Sequence, residues 1–333
     1  MALKLPTSWL IILLIYSTFK ILVVSTSISI EEDLELERQL KILNKPPITT
    51  FQTEEGDIID CIDINKQPAL DNPLLKNHKI QVKRVAVGMK EGPTFYGAYG
   101  QVSVYNISVN DQQFSSANLW VQNGPTDHPD QMNVITAGWA VSSFLNGDTR
   151  TRLFAHWWGG NSSGCFNIQC PGFVLSNPEI GVDYPFTHVS TYGSRHQYFT
   201  MLAIYRDRKT GNWWLAAFIE PTYIGYWPKE IIPKLINGAN RVGWGGIAIT
   251  DKDGNGPPMG SGHLPDNNYK HSCYFKRIQF GNDQDKFQTP ADNATYQYAD
   301  CPRCYDVLDK KGCGHYKSMH YCFTFGGPGG KCG

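Results

Sequence analysis

The chain has 333 residues, room for one large domain and a smaller segment. Its 30 Lys and Arg balance 30 Asp and Glu to a net charge of +0, and no basic block occurs, which excludes a nucleic-acid partner recruited by charge. Apolar content of 41% supports a sizeable core, while 13% aromatics with 32 Gly and 20 Pro point to many short strands and turns.

Residues 1–27 read as a signal peptide. Lys4 supplies a positive start, Trp9 to Tyr16 an apolar centre, and Ser25-Thr26-Ser27 small residues for cleavage. Lys20 interrupts the apolar stretch before it reaches the roughly 20 residues that a membrane span needs. The expectation is a secreted, extracellular protein with no membrane attachment once the signal is removed. In that compartment cysteines pair, and the chain has 9. Three sequons suit the same route and mark Asn106, Asn161 and Asn293 as glycosylation candidates.

Glu31 to Leu43 has leucines on one helical face and an acidic start, and Pro46-Pro47 ends it. Phe51 to Ile80 has too little apolar alternation to form a domain by itself. From Tyr96 the texture is that of strands: alternation around Val102 to Val109 and Leu119 to Gln122, a run from Tyr198 to Tyr205, then Ile247 to Ile249 and Tyr274 to Ile278. Asp207 to Asn212 is a turn cluster between two such runs and predicts a hairpin with Trp213-Trp214-Leu215. Lys229 to Asn237 invites one helix, which Pro233 keeps short. The fold class expected is all-β, an antiparallel sandwich of two packed sheets.

Cys301 to Gly333 holds five cysteines and is too short to bury a core, so crosslinks are expected to hold it. The Cys301-Pro302-Arg303-Cys304 pair, with Cys313, Cys322, His315 and His320, has zinc-like spacing, but in a secreted chain disulfides are the expected use and no metal is assigned. Asp251 to Gly256 resembles a calcium loop in composition but lacks its distal glutamate, and reads as a turn. Ser261 lacks a nucleophile elbow, His263 lies in a polar loop, and Glu179 has no paired acid nearby in sequence. Trp213 and Trp214 must face opposite sides of a strand, so one of them can join an exposed aromatic platform.

Ordered motifs run along the chain. They begin with Thr53 to Cys61, Lys66-Gln67-Pro68-Ala69 and Asn72 to His78, and continue with Ala137-Gly138-Trp139, Gly147-Asp148-Thr149-Arg150 and Gly164 to Val174. Gly211 to Trp214, Gly225 to Pro228, Gly243 to Gly246, Met259 to His263, Cys304-Tyr305 and Gly326 to Gly329 complete the set. Together these motifs resemble the neprosin family of plant secreted proteins, and the resemblance implies a pro-segment over 28–92 like the family's activation peptide and a β-sandwich domain over 93–333. It implies Cys165–Cys170 and Cys304–Cys332 disulfides, leaving Cys273, Cys301, Cys313 and Cys322 with three possible pairings. It also implies acid-pH glutamic endopeptidase chemistry beside proline, in which one carboxylate draws a proton from water and a second, protonated, donates to the substrate; no cofactor is implied.

The family's glutamate slots hold other residues here. The slot before Ala137-Gly138-Trp139 is Thr136, and those flanking Trp244-Gly245-Gly246 are Gly243 and Ile247. Val134 to Val141 and Arg241 to Thr250 contain no carboxylate. Two readings follow: a non-catalytic relative that binds extended peptide or cell-wall polymer, or an active endopeptidase whose catalytic acids have shifted.

Overall fold

The computed structural model describes residues 49–52, 58–61, 82–90, 92–125, 129–160, 163–309, 313 and 317–332. The signal-peptide and Glu31 to Leu43 readings lie outside the described residues. Within them the regular structure is almost all antiparallel strand, mainly in two stacked sheets. Thr49–Gln52 (β1) and Ile58–Cys61 (β2) form a separate hairpin.

Seven strands form the first sheet, in spatial order β17-β3-β13-β5-β6-β7-β8. They are Thr295–Ala299 (β17), Val82–Met89 (β3), Arg241–Ile249 (β13), Phe114–Asn123 (β5), Asn133–Val141 (β6), Arg152–Gly160 (β7) and Ser163–Phe166 (β8). β3 falls within the 28–92 stretch and is an inner strand, paired with β13 on one side and β17 on the other.

The second sheet runs β18-β19-β15-β4-β10-β11-β12-β9, with β16 beside β15. Its strands are Gly97–Ser103 (β4), Val174–Leu175 (β9), Phe199–Arg206 (β10), Trp213–Ala217 (β11), Thr222–Trp227 (β12), Cys273–Gly281 (β15), Phe287–Gln288 (β16), Asp306–Asp309 (β18) and Cys322–Gly326 (β19). Asn255–Gly256 (β14) and Gly330–Lys331 (β20) make a small separate pair.

Alternation fills the space between the sheets. Leu119 and Val121 on β5, Ile135, Ala137 and Trp139 on β6, Leu153 and Ala155 on β7, and Val242 and Trp244 on β13 point into one core with Leu202, Ile204, Trp213 and Leu215 of the facing sheet. A buried indole needs an acceptor for its N–H. Trp139 donates to the Ser103 carbonyl and Trp244 to the Tyr99 carbonyl, both at 2.9 Å, so each ties the first sheet to β4 of the second. Gly100 lets this happen: a Cβ there would meet the rings of Phe275 at 2.9 Å and Trp244 at 3.3 Å.

The β10–β11 hairpin closes where the turn cluster stands. Asp207 accepts hydrogen bonds from the backbone of Lys209 and Thr210, and Gly211 takes a positive φ of 81°. The helix expected over Lys229 to Asn237 is instead two 3₁₀ turns, Lys229–Ile231 and Pro233–Leu235. Pro233 has no N–H to continue an α-helical ladder from the first turn, so each stays a single turn. Ser143–Asn146 (α1), which no sequence signal marked, closes on Gly147 at φ 71°.

Candidate functional site

The outward face of the seven-stranded sheet gathers the residues that the sequence singled out. In an antiparallel sheet, directly paired residues share a face. The register pairs His156 of β7 with Thr136 of β6, Thr136 with Trp120 of β5, Trp120 with Gly243 of β13, Gly243 with Gly88 of β3, and Gly88 with Tyr296 of β17. These six residues form one row across the sheet. Thr136 and Gly243 stand in it two strands apart, roughly 10 Å at Cα, with Trp120 between them. Two carboxyl side chains at those positions could reach towards a common water.

Neither position offers a carboxylate. Thr136 is buried, and a Cβ on Gly243 would run into the Trp120 indole, which lies across the glycine. Tyr296 covers Gly88 in the same way, its ring 2.6 Å from where a Cβ would sit. Ile247 faces outward too, but four residues further along β13, in an apolar group with Phe114, Ala140, Phe154 and Phe166. The row therefore pairs Thr136 with Gly243 and leaves Ile247 outside it.

His156 ends the row beside Phe166, with ring centroids 4.6 Å apart, and burial pushes its pKa down to about 4. It is neutral through most of the acid range. Below the row, Asn118 is buried between Gly138 of β6 and Gly245 of β13. Its amide donates to the Ser116 hydroxyl at 2.7 Å, while Asn118 Oδ1 and Gln122 Nε2 are buried with no hydrogen-bond partner among the described residues. The face is thus a polar strip of Thr136, Asn118, Ser116 and Gln122 that passes into an aromatic end around Phe114, Phe154 and Phe166.

No strand of this sheet contains Asp or Glu. The carboxylates nearby have other work. Asp148 is bonded to Arg152 at 2.5 Å and to Arg150 at 2.7 Å, and the Arg152 hydrogen bond holds it well below the usual carboxylate range, so it stays ionised in acid. Burial alone would raise the Asp251 pKa. The Asn255 backbone N–H and the Asn110 amide outweigh this and hold it below its ordinary value, fixing the turn at Asp251 to Gly256. Glu179, Glu220 and Glu230 are exposed in turns.

The remaining candidates fall elsewhere. Ser261 donates its hydroxyl to the His271 carbonyl at 2.7 Å, and the His263 ring lies on Tyr192 at 4.0 Å, so the two form no nucleophile–base pair. Cys165 is bonded to Cys170, Cys304 to Cys332 and Cys313 to Cys322, while Cys273 and Cys301 are free and buried. Asn106 and Asn293 are exposed, and Asn161 lies outside the described residues. Trp213 is buried with its N–H on the Leu235 carbonyl; Trp214 faces out among Tyr205, Tyr223 and Tyr226. Only the register brings His156 and Trp120 beside Thr136, a juxtaposition that no local sequence signal carries.

Comparison with known proteins adds two family matches. The neprosin domain profile matches residues 111–328, and the neprosin activation peptide profile matches 50–132. Among solved structures, scytalido-glutamic peptidase with a peptide-based transition-state analogue is 8% identical with a TM-score of 0.38, over 75% of this chain and 99% of that one. SCP-B, an eqolisin-family peptidase in complex with a tripeptide, is 8% identical with a TM-score of 0.39, over 74% and 98%. A β-porphyranase from the human gut bacterium Bacteroides plebeius is 10% identical with a TM-score of 0.28, over 56% and 62%. Likenesses this distant say nothing about individual residues or chemistry.

Proposed function

The chain belongs to the neprosin family, and from that premise we propose that it is a secreted, non-catalytic member that binds an extended polymer without cutting it. The observation that carries this reading is the Thr136–Trp120–Gly243 row. A two-carboxyl mechanism needs one ionised acid and one protonated acid within reach of the same water. Here the two slots hold a hydroxyl and a hydrogen atom, with an indole between them. A threonine hydroxyl is too weak a base at any physiological pH to replace a carboxylate.

What remains is a long face with an aromatic end and a polar strip whose Thr136, Asn118, Ser116 and Gln122 are all buried, so an extended chain would lie along the strip once it is uncovered. A proline-containing peptide is the first ligand to try, and a cell-wall polysaccharide the second. Three disulfides among the described residues and the N-terminal segment support export, and the exposed Asn106 and Asn293 are the sequons open to glycosylation. No helix among the described residues is long and apolar enough to cross a membrane.

The test uses the full secreted chain with proline-containing peptides from acid to neutral pH. Mass spectrometry reads cleavage and calorimetry reads binding. Binding without cleavage, weakened by Trp120→Ala in a folded variant, is the expected outcome. Cleavage by the native protein would return the competing reading, a peptidase with displaced acids. A folded protein that neither binds nor cuts peptide or polysaccharide would end the binding reading.

A further inference from the structure

Cys301, Cys304 and Cys332 bring three sulfurs together, every pair within 4.8 Å. Two of them form the Cys304–Cys332 disulfide, and the third is a free thiol. All three are buried, at 9%, 6% and 6% exposure, so their encounter is sheltered from larger thiols. Cys301 and Cys304 belong to one hydrogen-bonded turn. The N–H groups of Cys304 and Tyr305 both donate to the Cys301 carbonyl at 2.9 Å. A turn of this kind puts residues i and i+3 on the same side, the arrangement in which a Cys-x-x-Cys pair closes.

We propose that these cysteines form an internal thiol–disulfide exchange site, with Cys304 as the sulfur shared between two alternative bonds. The Cys301 thiol loses its proton, and its thiolate attacks Cys304 Sγ in line with the Cys304–Cys332 bond. The Cys301–Cys304 bond forms as the Cys304–Cys332 bond breaks. The electron pair of the broken bond leaves on Cys332, which takes up a proton. One disulfide and one thiol stand on each side of the step, so no oxidant or reductant is consumed.

The two states differ in what they hold. With Cys304–Cys332 closed, the C-terminal tail is tied to the turn after β17. With Cys301–Cys304 closed, the tail keeps only its backbone bonds: β20 against β14, the reciprocal pair between Met259 and Gly327, and Gly329 N–H on the Cys304 carbonyl. Gly326, Gly327, Gly329 and Gly330 in this stretch all have positive φ and bring no side chains to pack. Exchange therefore converts a tethered tail into one held by a few backbone bonds, and it moves the free thiol from Cys301 to Cys332.

The full chain, purified without reductant, is held at about pH 8 so that exchange can equilibrate. It is then unfolded in mildly acidic guanidinium with N-ethylmaleimide present, so that buried thiols are trapped as they are exposed, digested in acid and mapped by mass spectrometry. The expected result is label divided between Cys301 and Cys332, with 301–304 and 304–332 linked peptides both present. In Cys301→Ser the label on Cys332 is lost. Cys332→Ala, a second variant should the first fail to fold, leaves a 301–304 link and no label on either cysteine. Label confined to Cys301, or two labelled thiols in Cys332→Ala, would overturn the exchange. A 301–332 link with label on Cys304 would overturn the assignment of Cys304 as the shared sulfur.

Discussion

The Trp120 indole lies across Gly243 and occupies the space that a side chain at position 243 would need. The absence of a side chain at position 243 is therefore built into the packing of the face as well as into the sequence. Gly243→Glu should cost about 1–3 kcal/mol through overpacking, and Trp120→Ala should relieve that cost. Urea denaturation of the two single variants and the double variant measures the coupling; strict additivity would mean the ring and the glycine are independent.

On the proposed non-catalytic reading, the same contact sets the order in which peptidase activity could be introduced. Thr136→Glu with Gly243→Glu should remain silent towards proline-containing peptides at acid pH. Cleavage should appear first when Trp120→Ala is added. Activity in the double variant would show that the indole moves aside freely.

His156 makes stability depend on acid. Its folded pKa of about 4 lies below the ordinary imidazole value of 6.5, so between these values the unfolded chain binds more protons than the folded one. Stability is accordingly full above about pH 6.5 and falls as pH drops towards 4, by about 1–3 kcal/mol in total. His156→Gln should flatten that part of the curve. Urea midpoints of both proteins at pH 7 and pH 4 provide the comparison, and parallel losses would remove His156 as the cause.

Adjacent tryptophans should respond very differently. Trp213 is fully buried, with its N–H bonded to Leu235, so Trp213→Ala should cost about 3–5 kcal/mol. Trp214 is half-buried against Tyr226, at 4.8 Å between centroids, and Trp214→Ala should cost about 1–2 kcal/mol, the worth of partial burial and one ring contact. Equal losses in thermal or chemical denaturation would contradict the alternation of β11.

Gly138 tests how closely β5 and β6 approach. A Cβ there would strike the Ala117 carbonyl oxygen and come within 2.6 Å of Asn118 Cα. Both obstacles are backbone, which cannot rotate away as a side chain can. Gly138→Ala should therefore cost at least about 2 kcal/mol, read as a lower urea midpoint; a neutral result would mean that the strands separate easily.

The sequence by itself determined the β-rich class, the hairpin at Asp207 to Asn212, the family motifs and the lack of carboxylate around Thr136 and Trp244. Each is a local property: alternation, turn chemistry or residue identity at a recognisable position. It also placed Trp213 and Trp214 on opposite faces, since that follows from the two-residue period of a strand, though not which of them is buried. Tertiary structure decided the rest, because strand register joins residues distant in the chain. It set Thr136 opposite Trp120 and Trp120 opposite Gly243, and put Ile247 among phenylalanines. It brought His156 to the end of the same row. It gathered Cys301, Cys304 and Cys332, whose meeting depends on a turn after β17 and on a tail that returns to β14. Pairing across a sheet is fixed by the whole core, and no local pattern in one strand specifies its neighbour.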